Sequence, residues 1–299
     1  MVQRKLIFGC GYLGLRAARL WRDAGDEVIA VTRSPQRAAQ FVDSEGLQAL
    51  VADVVDPASL GHLPPVDSLL YSVGFDRGAG GDIHGVYAGG LRNVLAALPT
   101  TVNRVIYVST TGVYGSATGE WVDEQTPCDP RREGARASLA AEQVFVDHPL
   151  GKRSAILRLA GLYGPGRVPH LEKLRAGEPI PAPPHGWLNL IHVDDAARAV
   201  VAVDQWLAAR HQRGEEPGPH IFNVSDGCPV LRGDYYREVA RLIAAPPPQF
   251  AAPDPHSPAA VRAEASRRVS SAKLLREIGV PLQFPDYRAA LAAILAGER

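Results

Sequence analysis

The chain has 299 residues, enough for one large domain or two smaller ones, and its 32 basic side chains balance its 32 acidic ones. No net charge therefore favours nucleic acid or an anionic membrane as a partner. The three cysteines lie far apart without a C-x-x-C motif, so the sequence implies neither a disulfide nor a bound metal. No signal peptide precedes the first predicted strand and no run of about 18 apolar residues occurs, so we expect a cytoplasmic protein without membrane spans.

A glycine cluster directly follows the first predicted strand, Lys5–Phe8. It reads Gly-Cys-Gly-Tyr-Leu-Gly over residues 9–14 and leads into a predicted helix at Leu13–Ala24. Strand, G-x-G-x-x-G and helix in this order are typical of a dinucleotide-binding site, although ordinary glycine-rich turns also occur. The glycines allow a tight turn, a close approach of the backbone to a pyrophosphate and close packing of the helix on the strand. The pyrophosphate would bind N–H groups at the helix N-terminus, so the predicted cofactor-binding residues here are Gly9, Gly11, Tyr12, Leu13 and Gly14.

Short apolar or β-branched runs continue to alternate with helical segments along the chain. The further predicted strands are Val28–Thr32, Leu47–Ala52, Asp67–Val73, Arg104–Ser109 and Ser154–Leu159, and the further predicted helices are Pro35–Ser44, Gly85–Ala97 and Ala135–Val146. Such alternation is typical of a parallel, doubly wound sheet. Because ligands bind at the carboxyl ends of such strands, we also expect Ser72, Val73 and Gly74 to line the cofactor site.

The composition changes after Gly161, where Pro and Gly become frequent. A helix at Val193–Ala209 and a strand at His220–Val224 are predicted to return to the core, and Tyr287–Leu295 is predicted as a closing helix. We therefore predict an α/β fold, with a Rossmann-type doubly wound parallel sheet and a smaller interleaved C-terminal substrate lobe. The predicted core comprises residues 1–160, with 187–226 returning to it, and the predicted lobe comprises 161–186 and 227–299.

The end of the second strand bears on the choice between NAD and NADP. Enzymes that prefer NAD usually place Asp or Glu there to hold the ribose hydroxyls, and this chain has none. Arg33 would bind a 2′-phosphate, with Thr32 or Ser34 donating hydrogen bonds, or Arg33 is simply a solvated side chain. We therefore favour NADP, while NAD stays possible. Asp53, after the third strand, either accepts a hydrogen bond from the adenine amino group or caps the helix before Pro57.

Five segments taken together resemble the extended short-chain dehydrogenases/reductases, the NAD(P)-dependent epimerase/dehydratase family. Besides the glycine cluster, which is similar to that of the atypical branch, they are Ser109–Gly115, Leu157–Arg158 with Tyr163–Gly166, Ile191–Asp195 and Phe222–Val224. The resemblance spans nearly the whole chain, and it implies NAD(P) as the cofactor and a small-molecule substrate. It also implies a homodimer through the helices at Gly85–Ala97 and Ala135–Val146. We expect neither a nucleic acid nor a membrane as a partner.

One motif that the resemblance implies is missing. The family's acid–base Tyr has a Lys four residues later on the same helix, which lowers the pKa of the phenol so that it exchanges a proton near neutral pH. This chain contains no Tyr-x-x-x-Lys. Counting back from Ala140-Ala141-Glu142, which resembles the family's A-A-E, the pair falls on Gly134 and Ser138. Two Asn positions of the family fall on Tyr87 and Gly161.

Other residues are candidates for the missing chemistry. Thr110 occupies the family's catalytic Ser/Thr position, Tyr114 would supply a phenol, and Tyr87 would project towards the nicotinamide. Each has a structural alternative: a hydroxyl bonded to backbone, a ring that shapes its loop, and a ring packed on the next helix. A basic segment over residues 131–136 would bind an acidic substrate or form a solvated helix face. The predicted substrate-binding residues are Arg158, Tyr163, Arg167 and His192, of which the lone His is also typical of a structural residue.

Three functions remain open. The first is an NADP-dependent oxidoreductase that acts on a small carbonyl or sugar-like compound with a rearranged acid–base group. The second is a non-catalytic NADP-binding protein that senses redox state or assists another protein. The third is a nucleotide-sugar epimerase or dehydratase, which the replaced residues disfavour. A fold alone does not decide among them.

Overall fold

The computed structural model describes residues 2–76, 78, 80–115, 118–254, 260 and 266–297. The chain forms two compact units that are interleaved in sequence. The first unit comprises Met1–Thr110, Glu133–Arg158 and Ala197–Phe222, and the second comprises Thr111–Arg132, Leu159–Ala196 and Asn223–Arg299.

The strands and helices are numbered here in chain order. The strands are β1 Arg4–Phe8, β2 Glu27–Thr32, β3 Gln48–Val51, β4 Ser68–Tyr71, β5 Arg104–Thr110, β6 Trp121–Val122, β7 Ala155–Leu159, β8 Gly161–Tyr163, β9 Ile180–Pro181, β10 Trp187–Leu188, β11 Leu190–His192, β12 His220–Val224, β13 Val230–Leu231, β14 Phe250–Ala251 and β15 Arg268–Val269. The helices are α1 Gly14–Asp23, α2 Pro35–Glu45, α3 Gly90–Ala97, α4 Glu133–Asp147, α5 Leu171–Arg175, α6 Val193–Gln212, α7 Arg232–Leu242, α8 Ala272–Glu277 and α9 Tyr287–Gly297.

A seven-stranded parallel sheet organises the first unit, with the strand order β12-β7-β5-β4-β1-β2-β3. From β1 the chain adds β2 and β3 on one side, and then crosses to add β4 on the other side. The order of the strands therefore reverses between β1 and β4. In open α/β sheets, ligands bind outside the carboxyl ends of the strands at such a switch point.

The sequence accounts for these elements locally. Every residue of β4 and β7 is buried, as expected for strands that are covered on both faces of a parallel sheet. The helix α2 has Pro35 at its first position, after Ser34, whose hydroxyl oxygen accepts a hydrogen bond from the N–H of Arg37 at 3.2 Å. It ends at Gly46, whose φ of 62° lies in the left-handed region that favours glycine.

Short strand pairs and helices surround a separate core in the second unit. The pairs are β8 with β11, β10 with β13, β9 with β14 and β6 with β15. Their core contains the fully buried rings of Tyr163 and Tyr235 with Ile180 and Leu291. The carboxylate of Asp195 accepts hydrogen bonds from the N–H groups of Gln283 at 2.7 Å and Phe284 at 2.8 Å, which holds the segment that leads into α9.

The predicted fold class is confirmed, and most predicted elements agree with the structure within a few residues. The segment predicted as one helix at Gly85–Ala97 differs, because it begins with a π-helical turn at Gly85–Gly89 before α3. Here Gly90 lies where an added Cβ would come within 2.7 Å of Val54, so tertiary packing shapes the start of this helix. The predicted homodimer through this segment and α4 stays a prediction.

Two absences hold for the part of the chain that the structure describes. None of its helices combines the length and apolar character that crossing a membrane requires. The same residues contain no group of three or more His, Cys, Asp or Glu side chains arranged to hold a metal ion.

Candidate functional site

The glycine turn lies between the carboxyl ends of β1 and β4. Gly9 has a φ of 85°, and a Cβ there would lie 2.4 Å from the carbonyl carbon of Ser72. A Cβ on Gly14 would lie 2.5 Å from the carbonyl oxygen of Gly9. By contrast, a Cβ on Gly11 would meet no atom within 4 Å. The fold itself therefore requires Gly9 and Gly14, whereas Gly11 leaves open space at the turn, as a bound pyrophosphate requires.

The N-terminus of α1 points its backbone dipole into this turn. No side chain caps the helix, its first turn contains no acidic residue, and Leu13 occupies the N-cap position. An uncapped helix N-terminus attracts an anion, because its N–H groups and dipole both favour negative charge. The guanidinium of Arg16 lies 4.4 Å from the ring centroid of Tyr12 and donates a hydrogen bond to the carbonyl oxygen of Tyr12 at 2.7 Å. The residues of the turn thus fit a dinucleotide pyrophosphate.

The segment after β4 forms the other wall of the turn. The N–H of Ser72 donates to the carbonyl oxygen of Phe8 at 2.8 Å, and its hydroxyl donates to that of Gly9 at 3.0 Å. Val73 packs on the core, and a Cβ on Gly74 would meet no atom within 4 Å. Farther along, the N–H of Phe75 donates to the phenol oxygen of Tyr87 at 3.2 Å, so this ring holds the segment from the side of the π-helical turn.

Cys10 lies inside the glycine turn, and its thiol is not nucleophilic near neutral pH. The side chain is buried, and burial raises the pKa of the Cys10 thiol to about 12. Thiolates rather than thiols are nucleophilic, so Cys10 is a packing residue near neutral pH.

At the end of β2, the structure leaves Arg33 at the surface. Its side chain is 55% exposed, and its guanidinium lies 3.7 Å from the carboxylate of Asp76. The hydroxyl oxygen of Thr32 accepts a hydrogen bond from the N–H of Ser34 at 3.2 Å, so both hydroxyls are engaged locally. Arg33 is therefore the accessible cation on this loop.

The structure separates the two roles considered for Asp53. The helical turn Pro57–Leu60 is capped by Asp56, whose carboxylate accepts a hydrogen bond from the N–H of Ala58 at 3.1 Å. The capping alternative for Asp53 is therefore wrong, because the residue next to Pro57 does this instead. Asp53 accepts a hydrogen bond from the N–H of Val55 at 3.1 Å, and its predicted contact with adenine stays a prediction.

Both positions of the missing Tyr–Lys pair lie on α4, as counted from the sequence. A Cβ on Gly134 would make ordinary contact, at 3.5 Å, with Ile83. Ser138 is buried, and its carbonyl oxygen accepts a hydrogen bond from the phenol of Tyr107 at 3.4 Å. Burial raises the pKa of Tyr107 well above its usual value, so this phenol is no substitute acid. Neither position carries a group that exchanges protons near neutral pH.

Thr110 and Arg158 lie at the carboxyl half of the sheet in different surroundings. Thr110 is the last residue of β5 and is partly exposed. Arg158, on β7, forms a buried ion pair with Glu142, with 2.7 Å between Nη2 and Oε2. The hydroxyl of Ser109 donates to the same carboxylate at 2.5 Å. This pair ties α4 to the sheet. Sequence reasoning missed Glu142 as its partner, although an acid within an apolar helix face was a signal.

The second unit contains the remaining predicted residues. Tyr114 is buried and its phenol donates to the side-chain oxygen of Asn223 at 2.9 Å, which fixes the ring as part of the loop. Tyr163 and His192 are also buried, with 5.5 Å between their ring centroids, and burial raises the pKa of Tyr163. Arg167 is exposed. The structure thus places three of these four residues within the core of the unit and one at its surface.

Comparison with known proteins identifies the class. The model of the NAD dependent epimerase/dehydratase family matches residues 6–225. Over 293 residues the chain is 29% identical to protein YeeZ of Escherichia coli strain K12, with 95% of this chain and 97% of that protein covered. A structure from Methylobacillus flagellatus, described as an NAD-dependent epimerase/dehydratase, has a TM-score of 0.79 at 32% identity, with 100% of each chain covered.

A more distant structure shares the fold alone. The dTDP-glucose 4,6-dehydratase DesIV of Streptomyces venezuelae, solved with NAD bound, has a TM-score of 0.78 at 21% identity, with 98% of this chain and 96% of that chain covered. Since the family model covers well over half of the sequence, this chain belongs to the NAD-dependent epimerase/dehydratase family. Its family and structural neighbours bind NAD(P), which agrees with the fit of the glycine turn.

Proposed function

We propose that this protein binds NADP and catalyses hydride transfer to a small carbonyl compound, or from the corresponding alcohol, without the usual Tyr-x-x-x-Lys pair. The observation that carries the proposal is the open turn at Gly11, beside the uncapped N-terminus of α1 and at the switch point of the sheet. When bound, the nicotinamide cofactor supplies the hydride acceptor or donor. The chain's own residues hold the dinucleotide, orient the carbonyl group and provide a proton.

The preference for NADP rests on Arg33. Its guanidinium is exposed at the end of β2, where NAD-specific proteins usually have an acid. A planar guanidinium binds a phosphate through paired N–H donors, and Asp76 at 3.7 Å would help to orient it.

The proton is assigned to Tyr87, with Thr110 binding the substrate oxygen. The phenol oxygen of Tyr87 accepts the N–H of Phe75, which leaves the phenol's own proton as a donor. This favours Tyr87 over Tyr114, whose proton is already given to Asn223. Both Tyr87 and Thr110 belong to the unit that carries the glycine turn.

Cofactor binding is tested by calorimetry with NADPH and NADH. The Gly11→Val variant should fold, because a Cβ there meets no protein atom within 4 Å, but it should lose both nucleotides because it fills the turn. Arg33→Ala should weaken NADPH binding about 10- to 100-fold, the loss of one or two charge-assisted hydrogen bonds, and leave NADH binding unchanged. The matched control is Arg241→Ala, an exposed arginine paired with Glu238. Wild-type affinity for NADPH in Gly11→Val would refute the proposed site.

Catalysis is tested with NADPH and a panel of aldehydes and ketones. Tyr87→Phe should lower the rate about 10²- to 10⁴-fold while the affinity for NADPH is kept, since only a proton donor is lost. Tyr236→Phe serves as the control, because it removes a phenol from the other unit. An unchanged rate in Tyr87→Phe would remove this residue from the mechanism.

A non-catalytic NADP-binding protein is the second candidate. It is favoured by one observation: Gly134 and Ser138 leave α4 without any acid–base group at the family's positions. Tight binding of NADPH together with no turnover across the panel would support this candidate over the first.

A further inference from the structure

The π-helical turn before α3 contains an exchange of hydrogen-bond partners. In a regular α-helix the N–H of Gly90 would donate to the carbonyl oxygen of Val86, four residues earlier. Here the N–H of Gly90 donates to the carbonyl oxygens of Gly85 and Tyr87 instead. The carbonyl oxygen of Val86 accepts a hydrogen bond from the phenol of Tyr71 at 3.2 Å. A side chain of the sheet therefore takes part in the hydrogen bonding of this helix.

Tyr71 is a donor with a fixed position. It is the last residue of β4 and is fully buried, and its ring lies between those of Phe8 and Tyr107, with 6.2 and 6.1 Å between the centroids. Burial raises the pKa of Tyr71, so the phenol keeps its proton and stays a donor at physiological pH. The next residue, Ser72, forms one wall of the glycine turn. The bond from Tyr71 thus joins the π-helical turn to the edge of the sheet that carries the proposed cofactor site.

The phenol reaches the helix only because residue 90 is a glycine. A Cβ on Gly90 would lie 2.9 Å from the phenol oxygen of Tyr71 and 2.7 Å from Cγ2 of Val54. A Cβ on Gly89 would come no closer than 3.9 Å to any atom of the described residues beyond its own helical turn. The φ values of Gly90 and Gly89 are −61° and −64°, so both backbones suit alanine. The two positions therefore differ in the space around them.

The same helix faces the position that the family's acid–base Tyr would occupy. The π-helical turn packs on α4, and a Cβ on Gly134 would lie 3.5 Å from Cδ1 of Ile83, in the turn before Tyr87. Residues four apart in a helix lie on the same face, so Tyr87 projects from the side that Ile83 occupies. The phenol oxygen of Tyr87 accepts the N–H of Phe75 at 3.2 Å, which holds the ring against the segment after β4.

We propose that Tyr71 and Gly90 are positioning residues, which hold the π-helical turn so that the phenol of Tyr87 replaces the missing acid–base Tyr. Tyr71 is fully buried and acts through Tyr87. The catalytic part rests on the proposed function, in which Tyr87 provides the proton. The holding of Tyr87 does not depend on that function, because it is measured in protein without cofactor or substrate.

Amide hydrogen exchange tests this holding without any activity. The reporter is the N–H of Phe75, followed by NMR of the whole protein, because its acceptor is the phenol of Tyr87. Tyr87→Phe removes the acceptor and should speed the exchange about fivefold or more, and Tyr71→Phe should do the same because it releases the turn. Tyr107→Phe is the matched control, since it also removes a buried phenol that donates to a backbone carbonyl, and should leave the Phe75 exchange unchanged. Wild-type exchange in Tyr71→Phe or in Tyr87→Phe would overturn the proposal.

The two glycines give a second test in which the phenol of Tyr71 is kept. Gly90→Ala places a methyl group against this phenol and should displace it, so the N–H of Phe75 should exchange about as fast as in Tyr71→Phe. Gly89→Ala has room for the methyl group and should keep this exchange within about twofold of the wild type. Equal exchange rates in the two alanine variants would contradict the role of Gly90.

Kinetics separate positioning from a general loss of stability. With NADPH and the aldehyde or ketone that the wild type reduces fastest, Tyr71→Phe should lower kcat about tenfold while KM and the affinity for NADPH are kept. Tyr107→Phe should keep the wild-type kcat. In a Tyr87→Phe background, Tyr71→Phe should lower kcat no further, because it acts only through Tyr87. The same loss of kcat in both backgrounds would overturn the positioning role.

Failure of the proposed function and failure of the positioning give different results. If no compound of the panel is reduced, or if Tyr87→Phe keeps the wild-type rate, the proposed function fails, and the exchange of the Phe75 N–H still shows whether the turn holds Tyr87. If Tyr71→Phe changes neither this exchange nor kcat while the wild type reduces a compound of the panel, the positioning fails and the proposed function stands.

Discussion

Asp226 is a buried carboxylate in the second unit that lacks a full set of partners. Its Oδ1 accepts a hydrogen bond from the N–H of Cys228 at 2.9 Å, but its Oδ2 meets no donor within the described part of the chain. Burial raises the pKa of Asp226 to about 7, and the nearby charges of Asp286 and Asp195 add to this, against the effect of the backbone hydrogen bonds. The side chain is therefore protonated in the folded protein at pH values where an exposed aspartate is charged.

This makes stability depend on pH in a defined direction. The folded-state pKa lies above the unfolded value of about 3.9, so the contribution is fully present below that pH and is lost as the pH rises through about 7. Asp226→Asn, which keeps the shape and the acceptor for Cys228, should be more stable than the wild type at pH 8 by up to about 4 kcal/mol. The difference should shrink towards pH 4.

Urea unfolding at pH 4, 6 and 8 measures this effect. The exposed Asp234→Asn is the control and should show no such trend. A gain for Asp226→Asn that is the same at all three pH values would contradict the expected origin in titration.

Among the elements, β1, β5 and α6 are joined by buried charges. Lys5 and Asp204 are each 1% exposed, with 2.5 Å between Nζ and Oδ2, and Arg104 reaches the same carboxylate at 2.7 Å. The side-chain oxygen of Gln3 accepts hydrogen bonds from both cations at 2.6 Å. One acid on α6 thus pairs with two basic residues, Lys5 in β1 and Arg104 at the start of β5, and these two strands flank β4 in the sheet.

Removal of the acid should be costly. Asp204→Ala removes the carboxylate that binds both buried cations, which leaves Lys5 with Gln3 and a longer 3.6 Å contact to Asp26, and Arg104 with the neutral oxygens of Gln3 and Asn103. The free energy of unfolding at pH 7 should fall by about 3–5 kcal/mol. Burial alone raises the pKa of Asp204, but Arg104 and Lys5 outweigh it, so the net pKa is lowered. The contribution is then full above about pH 3.9 and is lost as the pH falls through the folded-state pKa.

Urea unfolding of Asp204→Ala is compared with a variant in which Lys5, Arg104 and Asp204 are all replaced by Met or Leu. The triple replacement should recover much of the loss, because no charge remains buried. A loss below about 1 kcal/mol in Asp204→Ala would show that the cations find other partners.

The sequence predicted most of the strands and helices, but it did not predict which distant residues they contact. The strand at His220–Val224 was predicted with its observed bounds, because its apolar pattern is local. The π-helical turn at Gly85–Gly89 was not, because glycines impose little backbone preference and contacts with distant residues decide the geometry. The buried position of Lys5 was signalled by a basic residue within an apolar strand, but its partner Asp204 is 199 residues away.

For the whole molecule, the glycine turn and the missing Tyr–Lys pair could be inferred from the sequence, since each is a short motif with fixed spacing. The environment of Arg267 could not. Arg267 donates to the carbonyl oxygen of Thr111, 156 residues away, whereas the neighbouring Arg268 packs on the ring of Trp121, and no local pattern distinguishes the two arginines. The roles of Tyr114 and Tyr163 also depended on burial, which the sequence pattern did not specify.

Because Cys10 is buried in the glycine turn, the rate at which its thiol is alkylated measures how often this turn opens. Cys228 is exposed and Cys128 is partly exposed, whereas the thiol of Cys10 is buried and its pKa is about 12. Iodoacetamide near neutral pH should therefore alkylate Cys228 early and Cys10 only in molecules whose glycine turn has opened. Mass spectrometry of the Cys10 peptide over time would follow this opening, and saturating NADPH should slow it. Equally fast labelling of Cys10 and Cys228 would mean that the turn is open in most molecules.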